Sequence, residues 1–231
     1  MSSKAARKRK SEVANRVSKP DHMYSYCRVI GCGKPATAGT STGLNQRFCR
    51  KHEDHYERHG SPYKRSYPAK QLTPHRKAAL LWIRAHEDDV AVRMSINAVV
   101  SLYQAAGPRI EAFRLAGLAP DERARATWAS LREGNVDARE VLAVWLGVEA
   151  AICGDKQAEL KREYKLVQAG KLLHRMAGGA HKRWERLDTR GGVMVTEMHK
   201  YPHSRGRVLR HLGEQLERSA EIAVNVFMGT R

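Results

Sequence analysis

A chain of 231 residues with 42 Lys and Arg against 24 Asp and Glu carries a formal charge of +18 and a pI near 10.1. That length allows one helical domain with its own core plus a small appended module. No stretch approaches the roughly 18 apolar residues of a membrane span, and no apolar run follows the basic N-terminus, so neither a spanning helix nor a secretory leader is expected.

Residues 1–19 (MSSKAARKRKSEVANRVSK) are basic and lack a sustained apolar period, which predicts a disordered arm. Residues 20–70 hold three of the four cysteines, several glycines and prolines, and Tyr24, Tyr26, Tyr56, Tyr63 and Tyr67. This composition predicts a small module of a knuckle, short strands and one short helix. Residues 1–77 hold 18 Lys and Arg against 5 Asp and Glu, whereas the rest of the chain holds 24 against 19. The first third therefore dominates the field, and the natural partner of such an excess is a polyanion.

Residues 71–231 read as a helical domain. Thr73 and Pro74 suggest an N-cap and first helical residue for a helix over 74–86. Asp88 or Asp89 caps a second helix to Ala106, with Val92, Ile96, Val99 and Tyr103 at helical spacing. Gly107-Pro108 ends it, and short helices are expected near 109–116 and 121–133. Asp137 and Glu140 have capping-box spacing and open a helix with Val141, Trp145, Val148 and Ile152 on one face. A long charged helix is then expected to about Leu187, kinked or split at Gly178-Gly179. Val193-Met194-Val195-Thr196 suggests a short strand or ordered loop. The last helix, 205–228, has an apolar stripe of Leu209, Leu212, Leu216, Ala220, Ala223 and Phe227. Cys153, beside Ile152, reads as a buried structural thiol. The whole is expected to be mostly α.

The chemistry is concentrated in Cys27-x4-Cys32-x16-Cys49-x2-His52. Two close ligand pairs joined by a loop suit one tetrahedral, structural Zn²⁺, and four protein ligands leave no position for a catalytic water. Gly31 and Gly33 let the backbone turn around a metal. Cys49 and His52 fit the first turn of a short helix, on one face. His55 or His59 could replace His52. Thiols paired with a histidine favour a reducing compartment, hence the cytoplasm, and the nucleoid in a bacterial host.

Residues 27–65 resemble a small zinc-finger module of phage and mobile-element proteins, often attached to HNH-type endonucleases or DNA-binding proteins. The resemblance rests on Cys27, Cys32, Pro35, Cys49, His52, Tyr56 and the closing Arg58-His59-Gly60-Ser61-Pro62. It implies a treble-clef or zinc-finger-like fold around zinc, and it suggests DNA. The loop from Thr37 to Gln46 is longer than in that family.

The expected function is zinc-stabilised nucleic-acid binding, with DNA favoured over RNA, as an accessory or regulatory protein. Lys4, Arg7, Lys8, Arg9 and Lys10 of the arm would track phosphates. Arg28, Lys34, Arg47, Arg50, Lys51, Arg58, Lys64 and Arg65 surround the ligands on a rigid module. The interleaved tyrosines suit base stacking, although Tyr26 and Tyr56 more naturally pack the small core. A second basic cluster comprises Lys182, Arg183, Arg186 and Arg190 around Trp184, with Arg205, Arg207 and Arg210 after it. One alternative is an HNH-like metal-dependent nuclease using His22, Asn45 and His55 or His59. Another is a subunit that docks on a larger protein complex through the helical region. No membrane role is expected, since the arm has no apolar face to insert.

Overall fold

The computed structural model describes residues 3–19, 26–39, 43–178, 181–187, 191–199 and 206–230. The chain divides into two compact units, Met1–Ser66 and Tyr67–Arg231. Each is described by itself; the first holds two helices among its described residues, and the second is mostly helical.

In the first unit the N-terminal segment is a helix, α1 (Ser3–Ser18), where the sequence suggested a disordered arm. The apolar period is indeed missing, but Ala, Lys, Arg and Glu all favour helix. Local propensity is helped by side-chain anchors from Glu12 and Arg16 to the loop before Cys49. The second helix, α2 (Arg50–His59), begins directly after Cys49 and ends at Gly60, whose φ of 75° supplies the left-handed cap. Two isolated bridges, Tyr26 with Pro35 and Gly39 with Leu44, shape the chain before it.

The second unit is a helical bundle. Its helices are α3 (Ala69–Ala85), α4 (Val90–Ala105), α5 (Pro120–Glu133), α6 (Ala138–Cys153), α7 (Arg162–Ala177) and α8 (Arg207–Gly229), with a 3-10 turn at Ala112–Gly117. Helix α6 is the centre, packing on α3, α4, α7 and α8. It is buried almost all round, not only along the Val141–Trp145–Val148–Ile152 face that its period announced. The stripe of α8 is core throughout: Leu209, Leu212, Leu216, Ala220, Ala223 and Phe227 are all buried.

Capping follows the sequence in two places. The Asp89 carboxylate accepts from the Ala91 and Val92 N–H groups, and Asp137 accepts from Arg139 N–H. At the other end of α4, Arg132 donates to the carbonyls of Tyr103 (3.0 Å) and Gly107 (2.6 Å). That satisfies acceptors which a helix C-terminus leaves open. Tyr67 enters the bundle core, its N–H donating to Gln168 Oε1 and its hydroxyl to Asp155 Oδ2 at 2.7 Å.

Three expectations are corrected. Helix α3 starts at Ala69 after Pro68, so Pro74 lies inside it and Thr73 Oγ1 donates back to the Ala69 carbonyl. The helix expected to reach Leu187 stops at Ala177, because Gly178 caps it and the chain turns into a strand. That strand, β1 (His181–Leu187), pairs antiparallel with β2 (Val193–His199), Leu187 opposite Val193. The β-branched run of β2 was visible, but its charged partner strand reads as helix by composition. Cys153, expected to be buried, is exposed at the end of α6.

Candidate metal centre

Two short pieces of chain bring the four ligands together. The first is a knuckle. Cys27 N–H donates to the Lys34 carbonyl at 2.8 Å, and Cys32 N–H donates to the Val29 carbonyl at 3.0 Å. The turn requires positive φ at Gly31 (76°) and Gly33 (57°), which glycine adopts without steric cost. The second piece is the start of α2. Cys49 is its N-cap and His52 lies in its first turn, so the i and i+3 side chains share a face.

Asn45 aims this second piece. Its Oδ1 accepts from the N–H groups of Arg47 (2.6 Å) and Phe48 (2.8 Å), making an Asx-type turn immediately before Cys49. Arg28 N–H donates to the Arg47 carbonyl at 2.8 Å and ties the turn to the knuckle. Cys27, Val29, Phe48 and Cys49 form a small core, with Cys32 and Tyr56 packed against it.

The ligand atoms of Cys27, Cys32, Cys49 and His52 all lie within 4.8 Å of one another. Cys32 Sγ is 3.8 Å from Cys49 Sγ; His52 Nδ1 is 3.3 Å from Cys27 Sγ and 3.5 Å from Cys49 Sγ. A tetrahedral ion with metal–sulfur bonds of about 2.3 Å and metal–nitrogen bonds of about 2.1 Å has edges of about 3.6–3.8 Å. The observed edges match that scale to within a few tenths of an ångström. The residues can therefore hold one metal ion, and three thiols with an imidazole are a donor set compatible with structural zinc.

The local electrostatics favour coordination at Cys49 and His52. Burial alone would raise the Cys49 thiol. The backbone N–H of His52, the neighbouring thiols and the backbone N–H of Lys51 outweigh it and leave the pKa below its ordinary value. Burial pushes His52 down, assisted by the positive field of Lys51, His55 and Lys34, which keeps the imidazole neutral and able to coordinate. Cys27 is shifted upward by burial.

His55 and His59, the alternative fourth ligands, have other work. His55 Nδ1 meets the Ser61 carbonyl at 2.8 Å, so that nitrogen bears the proton. His59 Nδ1 accepts from Ser66 N–H at 2.9 Å. Together with Ser61 Oγ, which accepts from the Tyr63 and Lys64 N–H groups, they fold the segment after α2 back on itself. Sequence spacing singled out the four ligands. It named Asn45 and Ser61 without their turn-closing roles, which arise from side-chain-to-backbone bonds over two to three residues; the Asn-x-x-x-Cys order was the available signal.

The basic residues of the first unit are mostly at its surface. Arg28, Lys34, Arg47, Arg50, Lys51, Arg58 and Arg65 are exposed and Lys64 is half-buried. Arg47 lies over the Phe48 and Tyr56 rings at 5.4 and 5.5 Å, and Arg50 pairs with Asp54 at 3.2 Å. On α1, Lys4, Arg7, Lys8 and Lys10 are exposed and Arg9 is half-buried. Of the tyrosines, Tyr56 packs on Phe48 as expected, whereas Tyr26 is exposed, as is Tyr63. Tyr67 is committed to the helical unit, and Tyr24 lies outside the described residues, as do His22, Arg190 and Arg205. Arg210, from the second basic cluster, is ion-paired with Glu163, while Arg207 is exposed. Among the described residues no helix is long and apolar enough to cross a membrane.

Comparison of the chain with protein-family models, with curated proteins and with solved structures gives no match.

Proposed function

We propose that this protein binds nucleic acid, DNA in preference to RNA, through a first unit stabilised by one zinc ion held by Cys27, Cys32, Cys49 and His52. The observation that carries this reading is the convergence of those four side chains in a unit whose basic residues are mostly exposed. When bound, zinc neutralises thiolate charge and clamps the knuckle to α2. The chain's own residues do the rest: Lys51 stands between two ligands, so its backbone is fixed before any partner arrives, and the same holds for Arg50. Pre-positioned cations spend less conformational entropy on binding than those of a free tail.

The resemblance of residues 27–65 to modules of phage and mobile-element proteins supports an accessory or regulatory role in such a system. Thiol ligands that must stay reduced favour a cytoplasmic setting, on the nucleoid if the host is bacterial. The helical unit is proposed as the part that docks on a larger complex. A nuclease reading draws less support, because Asn45, His55 and His59 are each engaged in holding the local backbone.

The test is duplex DNA binding by the full chain across a salt series, with the zinc-to-protein ratio measured on the same preparation. About one zinc per chain is expected, with log affinity falling linearly against log salt. Replacing Lys51, Arg58 and Arg65 with Ala should flatten that slope by about 2–3. Cleavage of the DNA on addition of Mg²⁺ would instead support the nuclease.

A further inference from the structure

The position of α1 goes beyond a basic tail. Three of its side chains meet the long loop between the ligand pairs. Glu12 Oε2 accepts from Leu44 N–H at 2.8 Å. Arg16 Nη1 donates to the carbonyls of Ala36 (2.5 Å) and Asn45 (3.1 Å). Arg9 lies over Gly39, where a Cβ would stand 3.3 Å from its guanidinium. Gly43 leaves similar room: a Cβ there would fall 2.7 Å from Glu12 Oε2. The seat, within residues 36–39 and 43–45, is therefore made of backbone groups and glycines.

At about 100° per residue, Arg9, Glu12 and Arg16 share one face of the helix. Arg7 then lies opposite them, with Lys4, Lys8 and Lys10 to either side on the remaining arc. All four are exposed. Glu12 is the sole acid of α1, and it faces the loop. Every charged residue of the outer arc is thus a cation. A helix of 16 residues is about 24 Å long and of a diameter that the major groove of a DNA duplex admits.

We infer that α1 is a pre-docked DNA-contact helix: Glu12 and Arg16 are positioning residues that seat it on Ala36, Leu44 and Asn45, so that Lys4, Arg7, Lys8 and Lys10 meet duplex phosphates as a rigid row. This rests on the nucleic-acid reading above and adds to it the duplex as ligand and a defined geometry. A basic tail without order needs neither Glu12 nor Arg16.

The double variant Glu12→Ala/Arg16→Ala separates the two cases, because it leaves the net charge unchanged. In the full chain, binding to a 20-base-pair duplex should weaken about tenfold while the salt slope stays near that of the wild type. Amide hydrogen exchange on the free wild-type protein is the independent measurement. Protection across α1, lost in the double variant at unchanged zinc content, supports the inference. Unprotected α1 amides in the wild type overturn it, whatever the variant does. Replacing Lys4, Arg7, Lys8 and Lys10 with Ala should lower the salt slope by about 3–4. If that quadruple variant loses affinity while the double variant binds like wild type, pre-docking falls and the nucleic-acid reading stands. Preference for single strands over duplex also overturns the inference alone. No affinity for either form overturns both.

Discussion

Single residues in this chain do their work through backbone partners that lie a few positions away. Asn45, Ser61, His55 and His59 each close a turn, and together they leave His52 as the histidine that faces the thiols. The x2 spacing of Cys49 and His52 was legible because helical geometry makes i and i+3 neighbours. The diversion of His55 and His59 was not legible, since it depends on where the chain goes after Gly60. One half-buried amine in the helical unit leads to a pH prediction. Burial pushes the Lys171 amine down to about 8, with the positive Arg175 adding to the effect. Between that value and the ordinary lysine value of 10.5, the unfolded chain binds the proton and the folded chain does not. Stability therefore rises with pH across that window. A Lys171→Met variant should be more stable than wild type in urea at about pH 7, and the gap should narrow by about pH 9.5. A constant gap would mean that Lys171 stays charged in the fold. The raised Tyr67, Tyr103 and Tyr164 hydroxyls act above their ordinary range and equally in both proteins.

At the scale of elements, two glycines decide how closely α7 and α8 pack. A Cβ at Gly213 would lie 2.4 Å from the Leu166 carbonyl oxygen, and one at Gly170 would lie 2.3 Å from that of Leu209. Each helix thus presses its backbone onto the glycine of the other. Gly213→Ala is expected to destabilise the helical unit by about 1–3 kcal/mol in chemical denaturation, despite the better helix propensity of alanine. Gly229→Ala, where nothing lies within 4 Å, serves as the control and should not destabilise. Helix α8 was the clearest element in the sequence, because its apolar stripe is unbroken over five intervals. Gly213 within it gave no sign of its purpose, since close approach involves a second helix. The β1–β2 hairpin shows the converse difficulty. HKRWERL has the charge density of a surface helix, and only its pairing with Val193–His199 makes it a strand.

For the whole molecule, the division at Ser66 and Tyr67 predicts separate folding behaviour. The first unit has a small core of Cys27, Val29, Phe48 and Cys49, two of them candidate ligands, which is too little apolar burial to fold well without a bound metal. The second has a continuous core running from Tyr67 to Phe227. Cys49→Ser, or removal of metal by a chelator, should abolish one calorimetric transition and leave the other near its original temperature. The helical far-UV signal should fall only by the share of α1 and α2. Loss of all helical signal in a single step would contradict the division. Because α1 is seated on the loop that leads into Cys49, its amides should lose protection together with those of α2.

By itself the sequence singled out the four candidate ligands, a cap at Asp88 or Asp89 and another at Asp137, the turn glycines around the knuckle and the apolar stripe of α8. Each is a matter of spacing along a regular element or of a backbone conformation that only certain residues adopt. Tertiary structure decided what depends on a partner distant in the chain. Helix α1 is held through Glu12 and Arg16, α7 ends to make way for a hairpin, α6 is buried almost all round, and Tyr67 belongs to the bundle and not to the first unit. Local propensity is worth tenths of a kilocalorie per residue, whereas long-range burial and anchoring bonds are worth more, so the long-range contacts prevail where the two disagree.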